Sequence, residues 1–388
     1  MSNTPKTISE LRLRIGRWLH LPEIDRDSID FVLAVFKSNE MPGDPLWGLI
    51  IDASGGGKTE ILRPLRKHPQ SYFLSNLTEK TLISGYRDPK NPNEDPSLLP
   101  KLRGKTLIIK DLSPLLSMRP DKRAAILADL RDAYDGFTDQ GKGNLGRVQY
   151  EGRFSVLAAG TLAIERFDSV DQELGERFVK FRMRSDQNGA KVRQAIRNVG
   201  RDDSLRGEIE ADILAYLDSL PRCSEINPVS AHFERELTAL SDFIATARSH
   251  VPRDHSHALC YMPRPEVGTR LGKELTKLFL ALAVVRQKDR PGRAELRTVV
   301  RVAEDCLPPN RCAILRCLKH AAGPVRVAQV SQATKLPWST AKDTLEDLCV
   351  LGVVERAGNV VSETAKDALW QFSARRKRQL AQLGCLFE

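Results

Sequence analysis

Apolar positions along this chain change their spacing more than once, and each change marks a boundary. Leu11, Ile15, Trp18 and Leu19 recur at helical spacing, as do Ile29, Val32, Leu33 and Phe36. The stretch Met41 to Pro45 reads Met-Pro-Gly-Asp-Pro and ends that periodicity. Leu46 to Ile51 then forms a short continuous apolar run, the signature of a strand buried on both faces of a parallel sheet. A helix is predicted over Thr59–Lys67 directly behind it. Comparable runs follow at Tyr72–Leu74, Thr106–Ile109, Phe154–Ala158 and Phe178–Phe181. Helical stretches separate several of them, notably Lys122–Tyr134, where Ile126 and Leu130 share a face. Strands alternating with helices predict an α/β domain with a parallel five-stranded sheet.

From residue 203 to about 320 the pattern becomes wholly helical, with helices predicted over Glu208–Leu220, Ala231–Ser249 and Arg270–Val285. Proline-containing breaks lie at 251–265 and 307–309. Val327–Thr334 and Ser339–Leu351 then give a helix-turn-helix pattern. Val353 to Val361 reads as a hairpin turning at Gly358 and Asn359. Two helices followed by a hairpin describe a winged helix. The expected organisation is an N-terminal helical segment (1–40), an α/β domain (41–200), a helical region (201–320), and a winged-helix domain with a basic tail (321–388).

Composition adds a partner class. The chain has 388 residues, with 60 Lys+Arg against 50 Asp+Glu, and its net charge of +10 favours an anionic partner such as nucleic acid. No stretch approaches the roughly 18 apolar residues of a membrane span. The first residues lack the apolar core of a signal peptide, so a cytoplasmic location without membrane contact is the expectation. Cys306, Cys312, Cys317 and His320 lie close in sequence, but they form no CxxC pair and have no second ligand pair. Reduced thiols are therefore the reading.

The candidate chemistry begins where the first strand ends. Asp52-Ala53-Ser54-Gly55-Gly56-Gly57-Lys58-Thr59 supplies what a phosphate-binding loop needs: glycines that let backbone N–H groups face phosphate oxygens, a lysine, and a hydroxyl for Mg²⁺. Ser54, Gly55, Gly56, Gly57, Lys58 and Thr59 are the expected ATP contacts. Asp52 stands where the usual pattern has its first glycine. Asp111, ending the run Leu107 to Lys110, is the expected second Mg²⁺ partner beside Thr59. Thr161 ends the run from Val156 as a polar strand tip, and Arg177 immediately precedes the last strand.

Phosphate loop, strand-end Asp, strand-tip Thr and pre-strand Arg, in this order, resemble an AAA+ ATPase with a helical lid. The resemblance implies ATP and Mg²⁺ as cofactors, Thr161 as a sensor, and Arg177 as a finger reaching a neighbouring subunit's site. It also implies Arg270, in Gly268-Thr-Arg-Leu271, as a second sensor opening a lid helix, with the helices at 203–250 as an insertion. The Gly-rich basic segment 139–153 is similar to the hairpin of minichromosome-maintenance-like helicases, which makes Lys142 and Arg147 candidate DNA contacts. Ser339, Thr340 and Lys342 open the second helix of the winged helix, where recognition helices meet DNA. Arg375 to Arg378 adds a basic run suited to phosphate contacts.

Two functions follow from the resemblance. One is a ring-forming homo-oligomeric motor or helicase acting on DNA in mobile-element replication, with a hexamer as the form a ring implies. The other is an ATP-switched, DNA-binding initiator or transcription regulator without motor activity. Leu112 favours the second, because AAA+ proteins place a water-activating glutamate at that position.

Overall fold

In a computed structural model, the described residues are 4–78, 80–84, 97–142, 146–166, 176–184, 189–357 and 368–387. They divide into two compact units. The first comprises Met1–Pro228 with Lys277–Glu295, and the second Val229–Thr276 with Leu296–Glu388.

In the first unit, α1 (Ile8–Trp18) and α2 (Asp27–Lys37) precede β1 (Trp47–Ile51), which is buried along its whole length. The helix behind the glycine loop, α3 (Lys58–Leu62), is shorter than expected and passes into a 3-10 turn over Arg63–Lys67. Pro64 accounts for this, since it has no N–H to continue an α-helical ladder. Next come β2 (Ser71–Leu74), the short α4 (Leu99–Leu102), β3 (Thr106–Ile109) and α5 (Pro120–Asp135). β4 (Phe137–Lys142) and β5 (Gly146–Glu151) pair antiparallel as a separate two-stranded sheet. β6 (Ser155–Gly160) and β7 (Phe178–Arg182) complete the main sheet, followed by α6 (Ala190–Asn198) and α7 (Asp202–Ser219).

The main sheet has the order β2-β3-β6-β1-β7, and every pairing is parallel. β6 is thus inserted between β1 and β3. Strand order reverses there, and in open parallel sheets such a reversal leaves a crevice at the carboxyl ends. Both faces are covered. Trp47 packs among Tyr134, Phe154 and Phe178 and donates its indole N–H to the Phe154 carbonyl at 3.0 Å. On the opposite face α2 lies close against β1, which is why position 48 is glycine: a Cβ there would sit 2.9 Å from Val35 Cγ2.

The second unit contains α8 (Ala231–Arg248), the start of α9 (Thr269–Val285), the larger part of α10 (Arg293–Asp305), and α11 (Pro309–His320). β8 (Val325–Arg326), α12 (Val327–Thr334), α13 (Trp338–Val350), β9 (Val354–Ala357) and β10 (Leu369–Phe372) follow, and α14 (Ala374–Gln382) ends the unit. The three strands form a sheet in the order β8-β10-β9 beside the helix pair, which is a winged-helix arrangement.

β9 pairs with Leu369–Phe372, with Ala357 opposite Leu369; the expected turn at Gly358 and Asn359 and the residues 360–361 that follow it lie outside the described residues. The basic run 375–378 is held in part by its own unit. Arg376 is buried against α8, where it pairs with Asp242 at 2.6 Å, donates to Thr246 Oγ1 at 2.7 Å and lies over the Phe243 ring. Arg375 also reaches Asp242, at 3.1 Å. For Arg376 the half-buried Asp242 carboxylate and the Phe243 face take the place of solvent, whereas the Arg375 side chain stays mostly exposed. Among the described residues, no helix is long and apolar enough to cross a membrane.

Candidate functional site

The carboxyl ends of β1, β6 and β3 bring three of the expected groups to one edge of the sheet. The glycine loop leaves β1 at Asp52, whose N–H donates to the Gly160 carbonyl at the end of β6. Gly55 and Gly57 have φ values of 77° and 98°, a left-handed backbone that favours glycine. Gly57 also has no room for a side chain, because a Cβ would meet Leu19 Cδ1 at 2.7 Å. Lys58 folds back over the loop and donates to the carbonyls of Asp52 at 2.8 Å and Ala53 at 2.7 Å. Burial pulls the Lys58 ammonium below its ordinary pKa, Asp52 and Asp111 push it back up, and Lys191 adds to the lowering. One lysine therefore feels both carboxylates and a second cation. Thr59 follows, half-buried, as the second residue of α3.

Across the edge, Asp111 accepts the Ser113 N–H at 2.9 Å. Ser113 Oγ in turn accepts the Thr161 N–H at 2.9 Å and lies 3.0 Å from Thr161 Oγ1. Ser113 was not expected. It ties the strand-end carboxylate to the strand-tip threonine, and the only sequence signal for it was an Asp-x-Ser turn after an apolar run. Leu112, between them, is buried and donates its N–H to the Ala159 carbonyl at 2.7 Å. The position next to Asp111 thus contributes packing and no carboxylate.

Asp52 is fully buried, and its carboxylate sits inside the curl of the loop. Oδ1 accepts the Ala53 N–H at 2.7 Å, and a Cβ placed on Gly56 would fall 1.8 Å from Oδ2. Lys191, near the start of α6, donates to the Gly56 carbonyl at 3.1 Å and stands 3.4 Å from Asp52 Oδ2. Nothing local in the sequence pointed to Lys191, which lies 139 residues from its partner.

The other expected residues are placed elsewhere. Arg177 lies at the amino end of β7, beyond the pair Trp47 and Phe178, so it is at the opposite edge of the sheet from the loop. Its side chain is 6% exposed, paired with Asp135 at 3.2 Å and set over the Tyr134 ring at 5.3 Å, contacts made within its own chain. Arg270 is the second residue of α9, half-buried in the second unit. Lys142 and Arg147 belong to the β4–β5 ladder at the end nearest residues 143–145, where Lys142 faces Gly146 and Gly141 faces Arg147. Those three residues and the side chains of 140–148 lie outside the described residues.

In the winged helix, Ser339 is exposed, and Thr340 and Lys342 are half-buried at the start of α13. Trp338, at 39% exposure, opens the helix beside them. The acidic side of α13 is occupied by neighbours within the same unit. Asp347 pairs with Arg253 at 2.7 Å and Arg311 at 3.6 Å, Asp343 lies 3.3 Å from His257, and Glu346 lies 3.6 Å from Lys342.

No curated protein matches the chain. Residues 312–358, the span that contains α12 and α13, match the IclR helix-turn-helix domain, which supports DNA binding by this part of the chain.

Proposed function

We propose that this protein is an ATP-switched, DNA-binding regulator of initiator or transcription-factor type, with an AAA+-like nucleotide site. The observation that carries the reading is the gathering of Lys58, Thr59, Asp111 and Thr161 at the crevice beside β6, in the same chain as an IclR-type helix-turn-helix. The donor set fits a magnesium nucleotide. Loop amides and Lys58 suit the phosphates, Thr59 and Asp111 suit the cation, and Thr161 is positioned through Ser113 to sense the terminal phosphate. When bound, ATP supplies negative charge and a cleavable terminal phosphate. The chain's own part is to hold and orient that charge. With Leu112 buried beside Asp111, no carboxylate activates water from that position, which favours a slow switch over fast turnover.

The direct test measures binding of ATP and of a mixed-sequence DNA duplex by the full chain, together with the ATPase rate. Tight ATP binding that is lost in Lys58→Ala, DNA binding that responds to ATP, and slow turnover are the expected results. Failure of the wild-type protein to bind ATP sinks the reading.

A second reading, a ring-forming homo-oligomeric motor or helicase in mobile-element replication, is favoured by one observation. The β4–β5 hairpin stands between α5 and β6, where the resemblance puts a DNA-tracking element. DNA-stimulated ATP turnover with strand displacement would select the motor over the switch.

A further inference from the structure

Three features of the glycine loop do not belong to an ordinary phosphate cradle. A buried carboxylate, Asp52, lies inside it and takes the Ala53 N–H at 2.7 Å. Lys58 donates to two loop carbonyls. A second lysine arrives from α6 and contacts both the loop backbone, at Gly56 O, and the carboxylate, at Oδ2. An anion placed against Asp52 meets like-charge repulsion in a desolvated setting, where charges interact far more strongly than in water. Two ammonium groups, Lys58 and Lys191, thus stand at the loop, with Asp52 inside it and Asp111 across the edge.

Resting on the nucleotide reading above, we propose that Lys191 is a second phosphate-binding lysine for the nucleoside triphosphate and that Asp52 is a resident anion holding it at the loop. Phosphate binding then transfers the Lys191 ammonium from Asp52 Oδ2 and the Gly56 carbonyl to a phosphate oxygen. Asp52 lowers affinity by repulsion and gains selectivity in exchange, since only a ligand with enough negative charge draws the lysine away. Because α6 follows the last strand of the sheet, the transfer also links the phosphates to the helices beyond it.

The test is calorimetric titration of the full-length protein with MgATP and with adenosine, using wild type, K58A, K191A, K191R, D52N and the D52N/K191A double variant. Thermal midpoints identify any variant that fails to fold. The expected results are a loss of MgATP affinity of roughly tenfold or more in K191A, substantial recovery in K191R, and tighter MgATP binding in D52N. Adenosine affinity stays unchanged in all of these. The double variant is decisive. A Lys191 that only neutralised Asp52 becomes dispensable once residue 52 is Asn, whereas a phosphate-binding Lys191 is still needed. Equal MgATP affinity of D52N and D52N/K191A overturns the inference while leaving the nucleotide site intact. Absence of binding by wild type, or unaltered binding by K58A, overturns the nucleotide reading and this inference together.

Discussion

Arg177 shows how burial decides the role of a charged side chain. Its guanidinium is held by Asp135 and the Tyr134 ring, so truncation removes an ion pair and a packed planar group. We expect Arg177→Ala to lower the unfolding free energy by about 1–3 kcal/mol, as read by urea titration, and to leave ATP affinity unchanged. Normal stability with dominant loss of turnover in mixed assemblies would return the residue to the finger role. Lys277 supports a pH prediction of known sign. Its ammonium contacts the carbonyls of Met41 and Asp44, and burial pulls its pKa down from 10.5 to about 8, against the pull of Asp44. Above pH 8 the folded chain gives up this proton while the unfolded chain keeps it, so stability rises. Burial holds the Cys223 thiol at about 12 against an ordinary 9.0, so above pH 9 the unfolded chain ionises first and stability falls through that group. From these two groups the net rise falls at about pH 8 to 9, and Lys277→Met should reduce it in denaturant titrations at half-unit pH steps.

At the scale of elements, what was legible in the sequence followed from local pattern. Buried parallel strands are continuous apolar runs, so all five strands of the main sheet were visible, as was the helix pair of the winged helix. The failures came from contacts between distant segments. The hairpin expected at Gly358 and Asn359 falls outside the described residues, and the strand that pairs with β9, Leu369–Phe372, lies further along the chain. The basic run of α14 reads as a segment suited to phosphate contacts, because nothing local shows that Asp242 and Phe243 on α8 hold Arg376. The candidate site divides the same way. Lys58, Thr59, Asp111 and Thr161 follow strand ends and could be found from the strands. Ser113 is a contact across the sheet edge, and Lys191 comes from a helix far along the chain. In the IclR-type element, Lys342 near the start of α13 has Glu346 as its present partner at 3.6 Å, a contact that a DNA phosphate can replace. We expect Lys342→Ala to weaken duplex binding about equally across sequences and to reduce the slope of log affinity against log salt by roughly 1. An unchanged slope would remove Lys342 from the interface.

For the whole molecule, the question is whether a nucleotide on one unit and DNA on the other sense each other. The proposed switch requires that they do, and thermodynamics makes this testable without knowing the path of communication. If ATP changes DNA affinity by some factor, saturating DNA must change ATP affinity by the same factor. Coupling between sites is typically about 5- to 150-fold. Duplex affinity measured with and without MgATP, and MgATP affinity measured with and without saturating duplex, should therefore give matching ratios in that range. Ratios of one on both sides would mean that the sites act independently, and a regulator driven by ATP binding is then ruled out. The slow hydrolysis expected from Leu112 makes the measurement practical, because the triphosphate persists through an equilibrium titration. It also gives the hydrolysis step a defined place. If ADP restores the DNA affinity of the nucleotide-free protein, each slow turnover resets the switch, and the rate of turnover sets how long the ATP-bound state lasts on DNA.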